Sequence, residues 1–168
     1  GCNPSPQETY TEANALFAQD KYAEALPLYE ELLVRDPNNA NVHAKLAIIY
    51  ANQKDWSKCV EAAHQALERK VDLYDVYYHG AFCHARLEQN KAAMELLTEA
   101  LKKFPDRQDL KVEAAFMYFQ EKRFPEASRL YQDLSDGDTK NAEYAYNAGN
   151  TLETIKNYEQ AERYYRRA

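Results

Sequence analysis

The sequence predicts an all-helical fold of repeated antiparallel helix pairs, and three observations predict it. A short word recurs at a constant interval: Tyr22-Ala-Glu-Ala-Leu, Trp56-Ser-Lys-Cys-Val, Asn90-Lys-Ala-Ala-Met, Phe124-Pro-Glu-Ala-Ser and Tyr158-Glu-Gln-Ala-Glu. The interval is 34 residues each time (56 − 22, and likewise for every later pair), with no insertion or deletion. Small residues occupy two fixed columns of this repeat: Ala13, Ala47, Ala81, Ala115 and Gly149 in one, and Ala25, Cys59, Ala93, Ala127 and Ala161 in the other. Ten small residues in ten such places is a chance event of about 10⁻⁶ once the choice of register is allowed for. Third, only four Gly and six Pro interrupt a chain rich in Ala, Leu, Glu, Lys and Tyr, a composition that favours helix.

The repeats start at Pro6, Ala40, Tyr74, Gln108 and Ala142, which gives units 6–39, 40–73, 74–107, 108–141 and an incomplete 142–168. Each unit divides into a helix A and a helix B. Two helices that cross closely need small side chains where their backbones meet, so the two small columns mark the A–B contact. Large partners recur beside them: Leu16, Tyr50, His84, Tyr118 and Leu152 on helix A, and Tyr29, Ala63, Leu97, Tyr131 and Tyr165 on helix B. A further column (Leu32, Ala66, Ala100, Leu134, Ala168) lies seven residues past the second small column, on the same helical face. Short polar pairs such as Lys54-Asp55 and Lys122-Arg123 end the A helices. Pro125 falls in a first helical turn, where a missing N–H costs little. Pro37, Pro105 and the turn residues Asp136-Gly137-Asp138 close their units, while Pro27 lies inside a helix B and predicts a mild kink.

The 34-residue spacing, the small–small–aromatic columns and the unit ending Asp36-Pro37-Asn38-Asn39 resemble the tetratricopeptide repeat (TPR) over residues 6–168. The fourth column departs from that pattern (Thr9, His43, Tyr77, Lys111, Ala145), as does Asn90, where an aromatic residue is usual. The resemblance implies a right-handed superhelical solenoid with the A helices on the inner, concave face. It also implies that the second, fifth, sixth, ninth, twelfth and thirteenth residues of each unit line that face. A carboxylate clamp known in the family is not expected here, because Tyr10, Asn14, Lys45, Asp75 and His79 stand at its positions and only Asn14 fits.

The expected partner-binding groove consists of Tyr78, Phe82, Phe116, Phe119 and Tyr146, flanked by Asn147 and Asn150. Exposed aromatic rings offer large contact area for few lost rotamers, and Asn pairs with both the N–H and the C=O of a peptide backbone. These residues predict a scaffold that holds a peptide or helix of a partner protein, with no cofactor. A regulatory or targeting domain of a longer protein is the alternative, and packing of single aromatics between neighbouring A helices is the structural one.

Other features bound the function. No glycine-rich phosphate loop, nucleophile elbow or paired-His metal motif occurs, and no acid–base set converges, so no enzyme is expected. Twenty-one basic against 27 acidic residues give a net charge of −6, which disfavours a phosphate backbone as ligand. His79 and Cys83 share a helical face without a third metal ligand, and Asp133, Asp136, Asp138 and Glu143 lack calcium-loop spacing. Cys59 and Cys83 read as buried free thiols, with a bridge between them as the minor reading. Residues 1–5 form an extended tether. Cys2 resembles the lipid-carrying first residue of a bacterial lipoprotein, which implies a membrane-anchored protein of the bacterial envelope facing the periplasm. Gly1-Cys2 at an N-myristoylation and palmitoylation signal, or a plain exposed cysteine in a cytoplasmic protein, are the other readings. The last repeat ends without a polar cap, which predicts a longer natural chain or self-association through that end, testable by concentration-dependent light scattering.

Overall fold

The computed structural model describes residues 3–168, and among them it contains ten α-helices and no strand. They are α1 (Pro6–Ala18), α2 (Tyr22–Arg35), α3 (Ala40–Asn52), α4 (Trp56–Glu68), α5 (Tyr74–Arg86), α6 (Asn90–Lys103), α7 (Gln108–Gln120), α8 (Phe124–Gly137), α9 (Ala142–Thr154) and α10 (Tyr158–Tyr165). Odd-numbered helices are the A helices and even-numbered ones the B helices. Every A helix begins on the first residue of its repeat, and every B helix begins on the recurrent word. The chain forms two compact bodies, one up to Ala93 and the other Met94–Ala168, so α6 starts in the first and ends in the second. Within the first, α1 packs on α2, α2 on α3, α3 on α4 and α5, and α4 on α5. Within the second, α7 packs on α8, α8 on α9 and α9 on α10.

One turn geometry joins A to B in all five repeats. Asp20, Lys54, Glu88, Lys122 and Lys156 each adopt a left-handed backbone, with φ between 58° and 64°. The residue after each one donates its N–H back to the carbonyl of the large A-helix column: Lys21 to Leu16, Asp55 to Tyr50, Gln89 to His84, Arg123 to Tyr118 and Asn157 to Leu152. This six-to-one bond and its five-to-two companion satisfy carbonyls that a helix end would otherwise leave unpaired. The same turn chemistry in every repeat sets the angle at which B folds back on A.

Packing follows from the columns. All ten small residues are buried, most of them with no exposed surface. In the first body Tyr29, Ala63, Leu32 and Ala66 from the B helices meet Ala13, Val42, Leu46, Ala47 and Ile49 from the A helices. In the second, Tyr131, Leu134, Ala161 and Tyr164 meet Ala115, Ala148 and Leu152. Tyr29 is fully buried yet keeps its hydroxyl satisfied by donating to Asn14 Oδ1 at 2.7 Å. Asn14, the one residue that fits the carboxylate clamp, is thus engaged in A–B packing.

Several expectations are corrected. Cys59 and Cys83 are not free thiols: they form a disulfide between α4 and α5, with Cα atoms 6.3 Å apart and both residues wholly buried. Small columns bring neighbouring backbones close, and two cysteines placed in such contacts across adjacent helices fall within bridging range. With Cys83 tied up in this way, it offers no thiolate to share a metal with His79. Pro6, where the first repeat starts, is the first helical residue, preceded by a capping box. Ser5 Oγ accepts from the Glu8 N–H, and Glu8 Oε2 accepts from the Ser5 N–H. Asp136 and Gly137 are not turn residues: α8 runs through them, and Asp138 ends the helix with φ −135° and ψ 83°. Asp36 ends α2 with nearly the same angles, φ −137° and ψ 87°, so the two unit endings are one motif. In each, the aspartate accepts an N–H two residues on, from Asn38 or Lys140. Asn39 and Asn141 then cap α3 and α9. Pro27 lies inside α2, as the sequence places it. Ala168 is exposed and lies beyond α10 rather than in the core column. Cys2 lies outside the described residues.

Candidate binding faces

The A helices of the first body carry an aromatic hollow of about 260 Å³, lined by Tyr22, Ile48, Ala51, Asn52, Tyr78, His79 and Phe82. Phe82 is 38 % exposed and meets Trp56 edge-on at 5.7 Å. The Arg86 guanidinium lies over the Trp56 ring, 5.3 Å from its centroid. Tyr78 is half-buried, stacked on Tyr74 at 5.8 Å and edge-on to His79 at 5.4 Å. Helical spacing places Tyr74, Tyr78 and Phe82 on one stripe of α5. Burial lowers the His79 pKa below the ordinary imidazole value, and Asp75 opposes that shift, so the ring is neutral at pH 7.

The second body presents a different face. Phe116 on α7 and Tyr146 on α9 are its most exposed aromatic rings on the A helices, at 50 % and 56 %. Phe119 is half-buried and packs edge-on against Phe124 at 5.5 Å. Tyr146 leans on Tyr165, whose hydroxyl donates to Glu153 Oε2 at 2.7 Å. Asn147 and Asn150 are half-buried on α9, and their backbone carbonyls accept the hydroxyls of Thr151 and Thr154. The same body has a hollow of about 480 Å³ lined by Gln108, Asp109, Val112, Glu113 and Tyr144. Burial and the nearby Asp109 push the Glu113 carboxyl above its usual range.

The seven residues singled out in the sequence therefore fall on two faces, Tyr78 and Phe82 on one body and Phe116, Phe119, Tyr146, Asn147 and Asn150 on the other. Sequence reasoning missed Tyr22 and Asn52 in the first hollow, Trp56 against Phe82 beside it, and Gln108 and Tyr144 in the second. Tyr22 and Trp56 lead the B helices, a position that reads as architecture although their rings reach the A-helix face. Among the described residues no group of three or more His, Cys, Asp or Glu could hold a metal, and no helix is long and apolar enough to cross a membrane.

Comparison with known proteins bears on what such faces do. The family profile of the tetratricopeptide repeat matches residues 16–81 and 84–148. The Hsp70-Hsp90 organizing protein of Triticum aestivum is 26 % identical over 103 residues, covering 61 % of this chain and 18 % of that protein. The RNA polymerase-associated protein CTR9 of Caenorhabditis elegans is 27 % identical over 92 residues, covering 54 % of this chain and 8 % of that one. The chain thus spans less than a fifth of the length of these curated relatives. Among solved structures, YrrB, described as a TPR protein with an unusual peptide-binding site, superposes with a TM-score of 0.85 at 21 % identity, covering 97 % of this chain and 84 % of that one. A structure of MamA AMB-1 gives 0.86 at 15 % identity, covering 96 % and 88 %. Those two likenesses establish the TPR solenoid fold. The profile match covers well over half the chain, and on it rests the assignment: this protein belongs to the tetratricopeptide-repeat family, a family of protein-interaction scaffolds.

Proposed function

We propose that this protein is a non-catalytic scaffold whose A-helix faces hold a peptide or helix of a partner protein. The observation that carries this reading is the exposure of Phe82, Phe116 and Tyr146 at inner-face positions, while every small scaffold residue is buried. Large rings left in water on an ordered helix are a standing source of binding energy, since covering each one removes apolar area from solvent. The free side-chain amides of Asn147 and Asn150 beside Tyr146 suit backbone pairing with a bound segment. YrrB, with its peptide-binding site, is a structural precedent for the fold in that role. Although the Hsp70-Hsp90 organising proteins are among the relatives, the clamp positions hold Tyr10, Lys45, Asp75 and His79 here, so a carboxylate-tail ligand is not proposed.

The test is capture of the partner from the native source by wild-type protein and by Phe82→Ala combined with Phe116→Ala. The double variant should lose the partner and keep its far-ultraviolet circular dichroism. A variant that retains the partner contradicts the reading, and one that unfolds assigns these rings to the core.

Two finer points belong to the same proposal. A buried disulfide persists where the compartment is oxidising, so we place the protein outside the reducing cytoplasm, in the bacterial envelope, with Cys2 as its lipid attachment. Thiol titration of unfolded, unreduced protein from the native source should find Cys59 and Cys83 unreactive, and free sulfhydryls at both would contradict that placement. The alternative, a targeting domain within a longer protein, is favoured by the short share of each curated relative that the chain matches.

A further inference from the structure

The inner faces of the two bodies differ in charge. At the lining positions of the repeat, α7 and α9 carry Asp109, Glu113, Glu143 and Glu153 and not one Lys, Arg or His. The same positions on α1, α3 and α5 carry Lys45, Asp75, His79 and Arg86. Asp109 is paired with Arg107 at 3.2 Å, and Glu153 accepts the Tyr165 hydroxyl. Glu113 and Glu143 have no cation within ion-pair distance among the described residues.

These two carboxylates sit three residues before the two exposed rings, as Glu113-x-x-Phe116 and Glu143-x-x-Tyr146. On a helix that spacing sets a carboxylate and a ring side by side on one face. The second body already fills two such carboxylate–ring frames with its own arginines. Arg123 lies 4.8 Å from the Tyr118 ring centroid and 2.6 Å from Glu126, and Arg167 lies 4.8 Å from the Tyr164 ring and 2.6 Å from Asp136. The inner-face frames have the same two parts and lack the cation. Glu113 is half-buried, so its carboxylate has lost part of its hydration with no partner to replace it.

We infer that the α7–α9 face recognises a cationic segment of a partner protein, with Lys or Arg side chains seated at Glu113/Phe116 and at Glu143/Tyr146. Each seat pairs the cation with a carboxylate and lays its methylenes and charge on a ring. Apolar side chains of the same segment cover Phe119 and Val112. This inference rests on the partner-binding reading and adds the chemistry of the ligand.

The test uses three labelled synthetic peptides of about fifteen residues, identical in their Leu positions and carrying Lys, Gln or Glu between them. Their binding to the full chain is read by fluorescence anisotropy. The Lys peptide should bind at least tenfold more tightly than the Gln peptide, and the Glu peptide more weakly still. Glu113→Gln with Glu143→Gln should remove most of that preference. Glu24→Gln with Glu159→Gln, which removes the same charge from B helices, should leave it in place. Equal binding of the three peptides, preference for Glu, or equal loss in both double variants overturns the inference. In those cases, weakening of all three peptides by Phe116→Ala with Tyr146→Ala leaves the partner-binding reading standing. Failure of all three peptides to bind wild-type protein at millimolar concentration overturns both.

Discussion

Six of the described residues hold a backbone conformation that L side chains resist, and none of them is glycine: Asp20, Lys54, Lys70, Glu88, Lys122 and Lys156. The left-handed region costs a non-glycine residue roughly 1–2 kcal/mol, which the six-to-one hydrogen bond and the docking of helix B offset here. Lys54→Gly and Lys156→Gly should therefore each stabilise the fold by about 0.5–1 kcal/mol net of glycine's greater unfolded-state freedom, read as a rise in urea midpoint. Gly149 is the opposite case. It stands where the other repeats have Ala, and a Cβ built there would lie 2.6 Å from Cδ1 of Tyr165. Gly149→Ala should cost about 1–3 kcal/mol by overpacking, and in a Tyr165→Ala background the same change should cost far less. Additive penalties in that double-mutant cycle would show that the ring does not cause the constraint. Glu113 links a single residue to pH. Its folded-state pKa is raised by burial and by Asp109, so the fold favours the protonated form. That stabilisation is complete below the ordinary carboxylate value and disappears as pH rises through the raised one. Glu113→Gln should consequently raise the melting temperature at pH 7, with the gain shrinking in acid, and a gain independent of pH would contradict this assignment.

At the scale of the element, the B helices carry the architecture and the A helices the variation. Two unit endings share a single motif, in which Asp36 or Asp138 stops the B helix and Asn39 or Asn141 caps the next A helix. Repeats 2 and 3 lack it, and Leu73 and Arg107 precede α5 and α7 without a side-chain cap. The disulfide from α4 to α5 falls in this less well-capped stretch and ties repeat 2 to repeat 3. A bridge closing a sequence separation of 24 residues restricts the unfolded chain by about 3 kcal/mol. Cys59→Ser with Cys83→Ser should lower stability by roughly that amount while helix content in native buffer stays the same. An unchanged denaturation midpoint would show that packing alone holds α4 against α5.

For the whole molecule, the repeat register was legible from residues alone because it is carried by steric needs that recur every turn of the solenoid. Ala13, Ala25 and their counterparts are small for one reason, close backbone approach, and the structure buries all ten. What was not legible depended on neighbours distant in sequence. The Cys59–Cys83 bridge was no more than a minor reading, because nothing near Cys59 marks it as facing Cys83, and nothing near Gly149 marks Tyr165 as the ring against it. Trp56 and Tyr22 read as helix-starting residues, and only the folded geometry brings their rings to the A-helix face beside Phe82 and Tyr78. The charge of the second face was likewise hidden, because Glu113 and Glu143 look like ordinary helical acids until their rings and missing cations are seen together. The central claim is that partners bind the A helices. Amide chemical-shift mapping of the labelled protein titrated with a captured partner segment tests it most directly. The account predicts shifts concentrated on α5, α7 and α9 around Phe82, Phe116 and Tyr146, with the outward faces of the B helices silent. Shifts concentrated instead on α4, α6 and α8 would contradict it.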